Sequence, residues 1–271
     1  MRDNCMAEAA KSKLEQIIQE SFDAKDKSLD LENKGICGED LKLIITEFAG
    51  VKTLYISNNQ LCDTDMEILA EAPVGITSLY LNHNKVGNAG LRTLVNSELA
   101  KNLTCLMLEA NQIGPEGAEY LADSPNLYNL ETLFLDSNPI GPEGVKVLAR
   151  SKKLPRLTAL HLDSTKMGDD GAEALASTQT LTALQKLYLC SNQIGDKGAF
   201  ALANAPALKT LNILSIWRNE IRDEGGKSIA RSSIFANLER LYIGQNLIEK
   251  PVCRMIRESD MAKRLLTLVI D

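Results

Sequence analysis

The chain has 271 residues, 44% hydrophobic but only 4% aromatic, so aliphatic side chains must fill whatever core it builds. Its net charge is −6, with both signs mixed along the chain, which argues against nucleic acid or an anionic membrane as main ligand, since both reward a basic surface. No apolar run reaches the roughly 18 residues of a membrane span, and six scattered cysteines with no C-x-x-C pair argue against a zinc site or a disulfide framework and for a reducing, cytoplasmic setting.

In chain order, Met1 to Phe22 reads as amphipathic helix without the apolar stretch of a secretory signal. Residues 5–22, with Leu14, Ile17 and Ile18, predict a helix that covers an open edge of the structure after it. We therefore divide the chain into an N-terminal helical cap, 1–25, and a repeat region, 26–271.

The repeat region is set by one phrase, L-x-x-L-x-L-x-x-N-x-I, clearest from Leu103, Leu130 and Leu184. Its central leucine falls at Leu29, Leu54, Leu79, Leu106, Leu133, Leu160, Leu187, Leu214, Leu241 and Leu268. These are about ten repeats, the first degenerate and the last partial, as terminal repeats tend to be. In L-x-L the apolar residues alternate, so each copy predicts a short strand with one buried face. Asn59, Asn84, Asn111, Asn138, Asn192, Asn219 and Asn246 follow the strands, with Thr165 the internal exception. There the backbone must leave its ladder, and a buried amide can satisfy the freed peptide groups.

The second half of each repeat predicts a helix. Gly114-Pro115-Glu116-Gly117 and Gly141-Pro142-Glu143-Gly144 put Pro in a first turn and Glu near the positive helix end. Ala118, Leu121 and Ala122, and their equivalents in later repeats, give one apolar face per helix. Pro73, Pro125, Pro155 and Pro206 mark the return to the sheet. Because helices are wider than strands, stacking such units in parallel curves the solenoid, strands inside and helices outside.

On these residues, and on the G-x-x-G-A-x-x-L-A helix at Gly195, Gly198, Ala199, Leu202 and Ala203, the sequence from about 26 to 271 resembles leucine-rich-repeat proteins of the ribonuclease-inhibitor-like class. The resemblance implies an α/β horseshoe that binds protein on its concave face and carries no shared catalytic residues. The Ile-Gly-Pro-Glu-Gly wording also resembles bacterial leucine-rich-repeat proteins, including effectors delivered into the host cytosol.

With the register fixed, the outward strand positions can be read. The residue between the paired apolars is Asp30, Tyr55, Tyr80, Met107, Phe134, His161, Tyr188, Ser215, Tyr242 and Val269. Two residues on from each lie Glu32, Ser57, Asn82, Glu109, Asp136, Asp163, Cys190, Trp217, Gly244 and Asp271. Tyr and Trp suit binding hot spots, and Trp217, beside Arg218, is expected as an exposed anchor. The carboxylates of Glu109, Asp136 and Asp163, about 4.8 Å apart, suggest a partner with a basic surface. The expected partner-binding set is Tyr55, Tyr80, Glu109, Phe134, Asp136, His161, Asp163, Tyr188, Trp217, Arg218 and Tyr242. High β-propensity explains part of the tyrosine column, and a solvated face part of the acidic one.

Cys105 and Cys190 are expected to be exposed, and Cys37 and Cys62 to hold free thiols. No nucleophile–base–acid set, phosphate loop or catalytic carboxylate pair stands out, and no metal or cofactor is expected. The chain reads as a monomeric, non-catalytic protein-binding module. The alternative is a GTPase activator acting through an exposed Arg218 or Arg222.

Overall fold

A computed structural model describes residues 14–47, 50–72 and 75–270. Its strands are β1 (Phe22–Asp23), β2 (Ser28–Asp30), β3 (Thr53–Tyr55), β4 (Ser78–Tyr80), β5 (Cys105–Met107), β6 (Thr132–Phe134), β7 (Ala159–His161), β8 (Lys186–Tyr188), β9 (Ile213–Ser215), β10 (Arg240–Tyr242) and β11 (Thr267–Val269). They form one sheet in sequence order. The helices are α1 (residues 14–21), α2 (Gly38–Glu47), α3 (Asp63–Leu69), α4 (Asn88–Asn96), α5 (Pro115–Asp123), α6 (Gly141–Ala149), α7 (Gly168–Ala176), α8 (Asp196–Ala203), α9 (Asp223–Ala230) and α10 (Lys250–Glu258). From β2 onward strand and helix alternate, giving a solenoid with parallel strands on its concave face and helices on its convex face.

The register is the one the sequence spacing requires. Leu29 pairs with Leu54, Leu54 with Leu79, and so on to Leu241 with Leu268. These leucines are 0–1% exposed up to Leu241. Leu268, on a strand paired along one side only, is half-buried. The helix residues Ala118, Leu121, Ala172, Leu175, Ala199 and Leu202 are fully buried against this layer. The core is thus a continuous aliphatic stripe between sheet and helices.

The N-terminal edge differs from the expected continuous helix over 5–22. Residues 5–13 and Pro73 lie outside the described residues. Residues 14–21 are helical, with Ile18 buried in the core, but Phe22 and Asp23 leave the helix and pair antiparallel with β2. An edge strand carries unpaired peptide groups, and a hairpin through Lys27 (φ 53°) satisfies those of β2 directly.

Each asparagine after a strand stitches two repeats together. The Asn111 amide donates to Leu81 O and Leu108 O at 3.0 Å, while its Oδ1 accepts Val86 N–H at 3.0 Å. Asn59, Asn84, Asn138, Asn192, Asn219 and Asn246 repeat the pattern, with Oδ1 reaching the preceding repeat. A second ladder caps the helices: Asn88 Oδ1 accepts Gly114 and Gly117 N–H, Asp169 Oδ1 accepts Gly195 and Gly198 N–H, and Asp196 Oδ1 accepts Arg222 and Gly225 N–H. First-turn side chains of one helix thereby hold the N-terminus of the next.

Candidate functional site

Three columns of side chains face outward from the concave sheet. The middle column runs Asp30, Tyr55, Tyr80, Met107, Phe134, His161, Tyr188, Ser215, Tyr242, Val269, each residue paired with the next across the strands. Adjacent rings can stack because parallel strands lie about 4.8 Å apart, close enough that a slight tilt brings the rings into contact. Phe134 and His161 lie 3.6 Å apart at 20°, and His161 and Tyr188 4.0 Å apart at 16°. Tyr55 and Tyr80 form a separate tilted pair, 4.3 Å apart at 37°. Met107 separates the two groups, and Ser215 separates Tyr188 from Tyr242.

The acidic column lies at the C-terminal ends of the strands, and two of its carboxylates, those of Asp136 and Asp163, are occupied. Asp136 Oδ1 accepts Asp163 N–H at 2.6 Å, and Asp163 Oδ1 accepts Cys190 N–H at 2.6 Å. Neutral residues do the same work in earlier repeats: Ser57 Oγ accepts Asn82 N–H, and Asn82 Oδ1 accepts Glu109 N–H. The column continues the sheet's pairing by one residue through side chains. Asp136 is only 9% exposed, so the expectation of a solvent-facing carboxylate row is corrected at this position.

That burial governs the charges. It pushes the Asp136 carboxyl up to about 7, with Asp163 and Glu109 adding repulsion against the opposing backbone hydrogen bond. Burial raises Asp163 too. It lowers His161 to about 4, with Lys186 acting in the same direction. His161 Nδ1 stands 3.9 Å from Asp136 Oδ2. Burial favours the neutral form of both groups, which argues against an ion pair at this contact.

A sequence profile described as Leucine Rich repeat matches residues 76–95, 100–122, 129–149, 153–176, 180–203 and 207–230. The chain belongs to the leucine-rich-repeat family. A search of curated proteins finds no match to the chain.

Within this leucine-rich-repeat sheet, Trp217 differs from the expected exposed anchor. It is half-buried, with its ring laid over Gly244 of the next repeat, where an added Cβ would come within 2.9 Å of the indole. Arg218 beside it is exposed, in a left-handed turn with φ 56°. His83 occupies the equivalent turn (φ 54°) at the rim of the face rather than on its floor. Cys105 and Cys190, expected to be exposed, are partly buried, and Cys190 Sγ contacts Ser215 Oγ at 3.0 Å. Burial raises both thiols, Cys190 to about 11, so neither is an activated nucleophile.

Sequence reasoning overlooked the third outward column, the first residue of each strand: Ser28, Thr53, Ser78, Cys105, Thr132, Ala159, Lys186, Ile213, Arg240 and Thr267. The period of two that identifies Tyr188 as outward does the same for Lys186. It brings the exposed cations Lys186 and Arg240 onto the face.

Proposed function

We propose that this leucine-rich-repeat protein is a non-catalytic binding module that captures another protein on its concave face. The observation that carries the reading is the stacked trio Phe134, His161 and Tyr188, three rings in a fixed row on a sheet whose core does not need them. Pre-stacked rings offer large contact area with little conformational entropy left to lose. Tyr55, Tyr80, Trp217, Arg218 and Tyr242 extend the surface, and Glu109, Asp136 and Asp163 border it. The wording of the repeats supports the more specific reading of an effector acting on a protein in a host cytosol.

Affinity capture followed by mass spectrometry, comparing the wild type with Phe134→Ala/Tyr188→Ala, tests this. A partner retained by the wild type and lost by the double variant is expected, with the variant still folded by circular dichroism. A partner retained equally by both would place the interface on the loops or the convex helices. The GTPase-activator alternative draws on Arg218, exposed at a loop tip and free to reach across an interface. Unchanged GTP hydrolysis by small GTPases in the presence of the protein would reject it.

A further inference from the structure

The charges of the concave face are sorted along the solenoid. Among the described residues, the acidic members of the three outward columns are Asp30, Glu32, Glu109, Asp136 and Asp163, all on or immediately after β2–β7; Asp271 lies outside the described residues. The cationic residues are Lys186 on β8 and Arg240 on β10. Among the described residues, no Lys or Arg stands in these columns in the first group, and no Asp or Glu in the second. Arg218 adds a cation at the rim beside β9. The change of sign falls between β7 and β8, where the Phe134–His161–Tyr188 stack lies. From Glu109 to Arg240 is five strand steps, about 24 Å at the usual strand spacing.

Folding does not require this arrangement. The backbone beside Asp136 and Asp163 needs an acceptor, and Ser57 and Asn82 supply one in the same column without charge. Ionising a carboxylate as buried as Asp136 costs folding free energy at neutral pH. Lys186 and Arg240 are exposed and form no ion pair among the described residues, so neither stabilises the sheet through one. Charges held without structural need, in an order opposed across one aromatic patch, suit an external surface of the reverse order.

We propose that the concave face takes one elongated protein segment of opposite polarity: basic side chains over Glu109 and Asp163, an apolar or aromatic stretch on the ring stack, and acidic side chains over Lys186 and Arg240. The inference rests on the concave face being the binding surface, and adds the partner's chemistry and direction. One orientation places every charge against its opposite, and the reversed one sets like against like, which is how charge enforces register.

The test uses a displayed library of random 16-residue peptides, selected on the full-length protein. The best peptide and an isomer with its acidic and basic residues exchanged are then synthesised, and their affinities measured by fluorescence anisotropy. The wild type is expected to prefer the selected peptide by about tenfold or more at low salt, and by less as salt is added. The folded variant E109K/K186E/R240E is expected to prefer the isomer. K186E/R240E, which changes only exposed residues, is expected to lose the preference. Peptides that need Phe134 and Tyr188 but ignore the exchange would overturn the polarity and leave the concave surface standing. Peptides indifferent to the rings as well, or no enrichment, would overturn both. A wild-type dimer in sedimentation that K186E/R240E dissolves would assign the face to a second copy and overturn the proposal.

Discussion

The turns at the two ends of the solenoid and those in its centre solve the same backbone problem differently. In the regular turns, asparagine Oδ1 of one repeat accepts a peptide N–H of the repeat before it, and the residue after the asparagine donates back: Lys85 N–H to Leu61 O, Gln112 N–H to Val86 O, Glu220 N–H to Ile194 O. In the centre, Thr165 stands in the asparagine column and Pro139 follows Asn138 without an N–H to give. The Thr165 hydroxyl bonds to Leu162 O and Asn192 Oδ1 within its own neighbourhood. Ile140 N–H therefore turns onto Asn138 O, and Gly141 N–H onto Thr165 O. The helix caps fail in the same place, because Pro115 and Pro142 occupy the capping positions held elsewhere by Asn88, Asp169 and Asp196. The equivalent glycines respond: Gly114 and Gly195 lie near φ −100°, whereas Gly141 and Gly168 flip to 63° and 57°. Pro139, Thr165 and the two prolines at the capping positions thus set the path of these two turns, which follow β6 and β7, the strands that carry Phe134 and His161 of the ring stack.

The largest expected effect breaks the regular side of this comparison. Asn111→Ala leaves Val86 N–H without its acceptor and removes one of the two asparagine donors from both Leu81 O and Leu108 O, and should cost about 1–3 kcal/mol in denaturant melts. Thr165→Ala, which removes two side-chain hydrogen bonds against the four of Asn111, should cost less than Asn111→Ala. Equal losses would mean that the ladder is not what holds the regular turns. Thr165→Asn sharpens the point: it should not stabilise the protein, because Pro139 still fixes the central turn, and a gain would shift the cause to position 165.

Next comes the backbone itself. Gly141→Ala should cost about 1 kcal/mol or slightly more through its left-handed conformation alone, since no atom lies within 4 Å of the added methyl. Gly114→Ala, at the equivalent regular position, meets its nearest atom at 3.7 Å and should be nearly neutral. Thermal melts of the two single variants compare the turns directly, and a neutral Gly141→Ala would contradict the flipped turn.

The smallest effect concerns the centre's buried acid. Asp136 holds a proton in the folded protein up to about pH 7, whereas the unfolded chain loses it near 3.8, so its contribution makes stability fall as pH rises between these values. His161 is neutral above about pH 4 when folded but charged below 6.5 when unfolded, so its contribution makes stability rise over an overlapping window. The two largely cancel in the wild type. Asp136→Asn keeps the acceptor for Asp163 N–H, as Asn82 does for Glu109 N–H two repeats earlier, and should raise the melting temperature by about 2–4 °C above pH 7.5 but not at pH 4. His161→Phe should expose the opposite slope, with stability falling from pH 4 to 7. Melting curves across this range check both, and parallel curves for the two variants would contradict the assignment.

How much was legible follows from what repeats. A leucine every 25 or 27 residues fixes the strands, their parallel order and the register, because one stacked period satisfies every copy at once. The same alternation assigns Tyr55, Tyr80, Phe134, His161, Tyr188 and Tyr242 to the outward face, and Lys186 and Arg240 equally, although those two were passed over. What the sequence could not decide depends on contacts between neighbouring repeats. Trp217 reads as exposed until the bare backbone of Gly244 beside it gives the indole a surface to lie on. Asp136 reads as a solvated charge until the stacked repeats bury it, with Asp163 N–H on one oxygen and the His161 ring near the other, and that burial raises its proton affinity. The strand at Phe22 and Asp23 lies outside the repeat, and only the edge it closes explains it. Periodicity determines which face a side chain points to; its burial, partners and charge depend on the unlike side chains of adjacent repeats, which meet only when the solenoid is stacked.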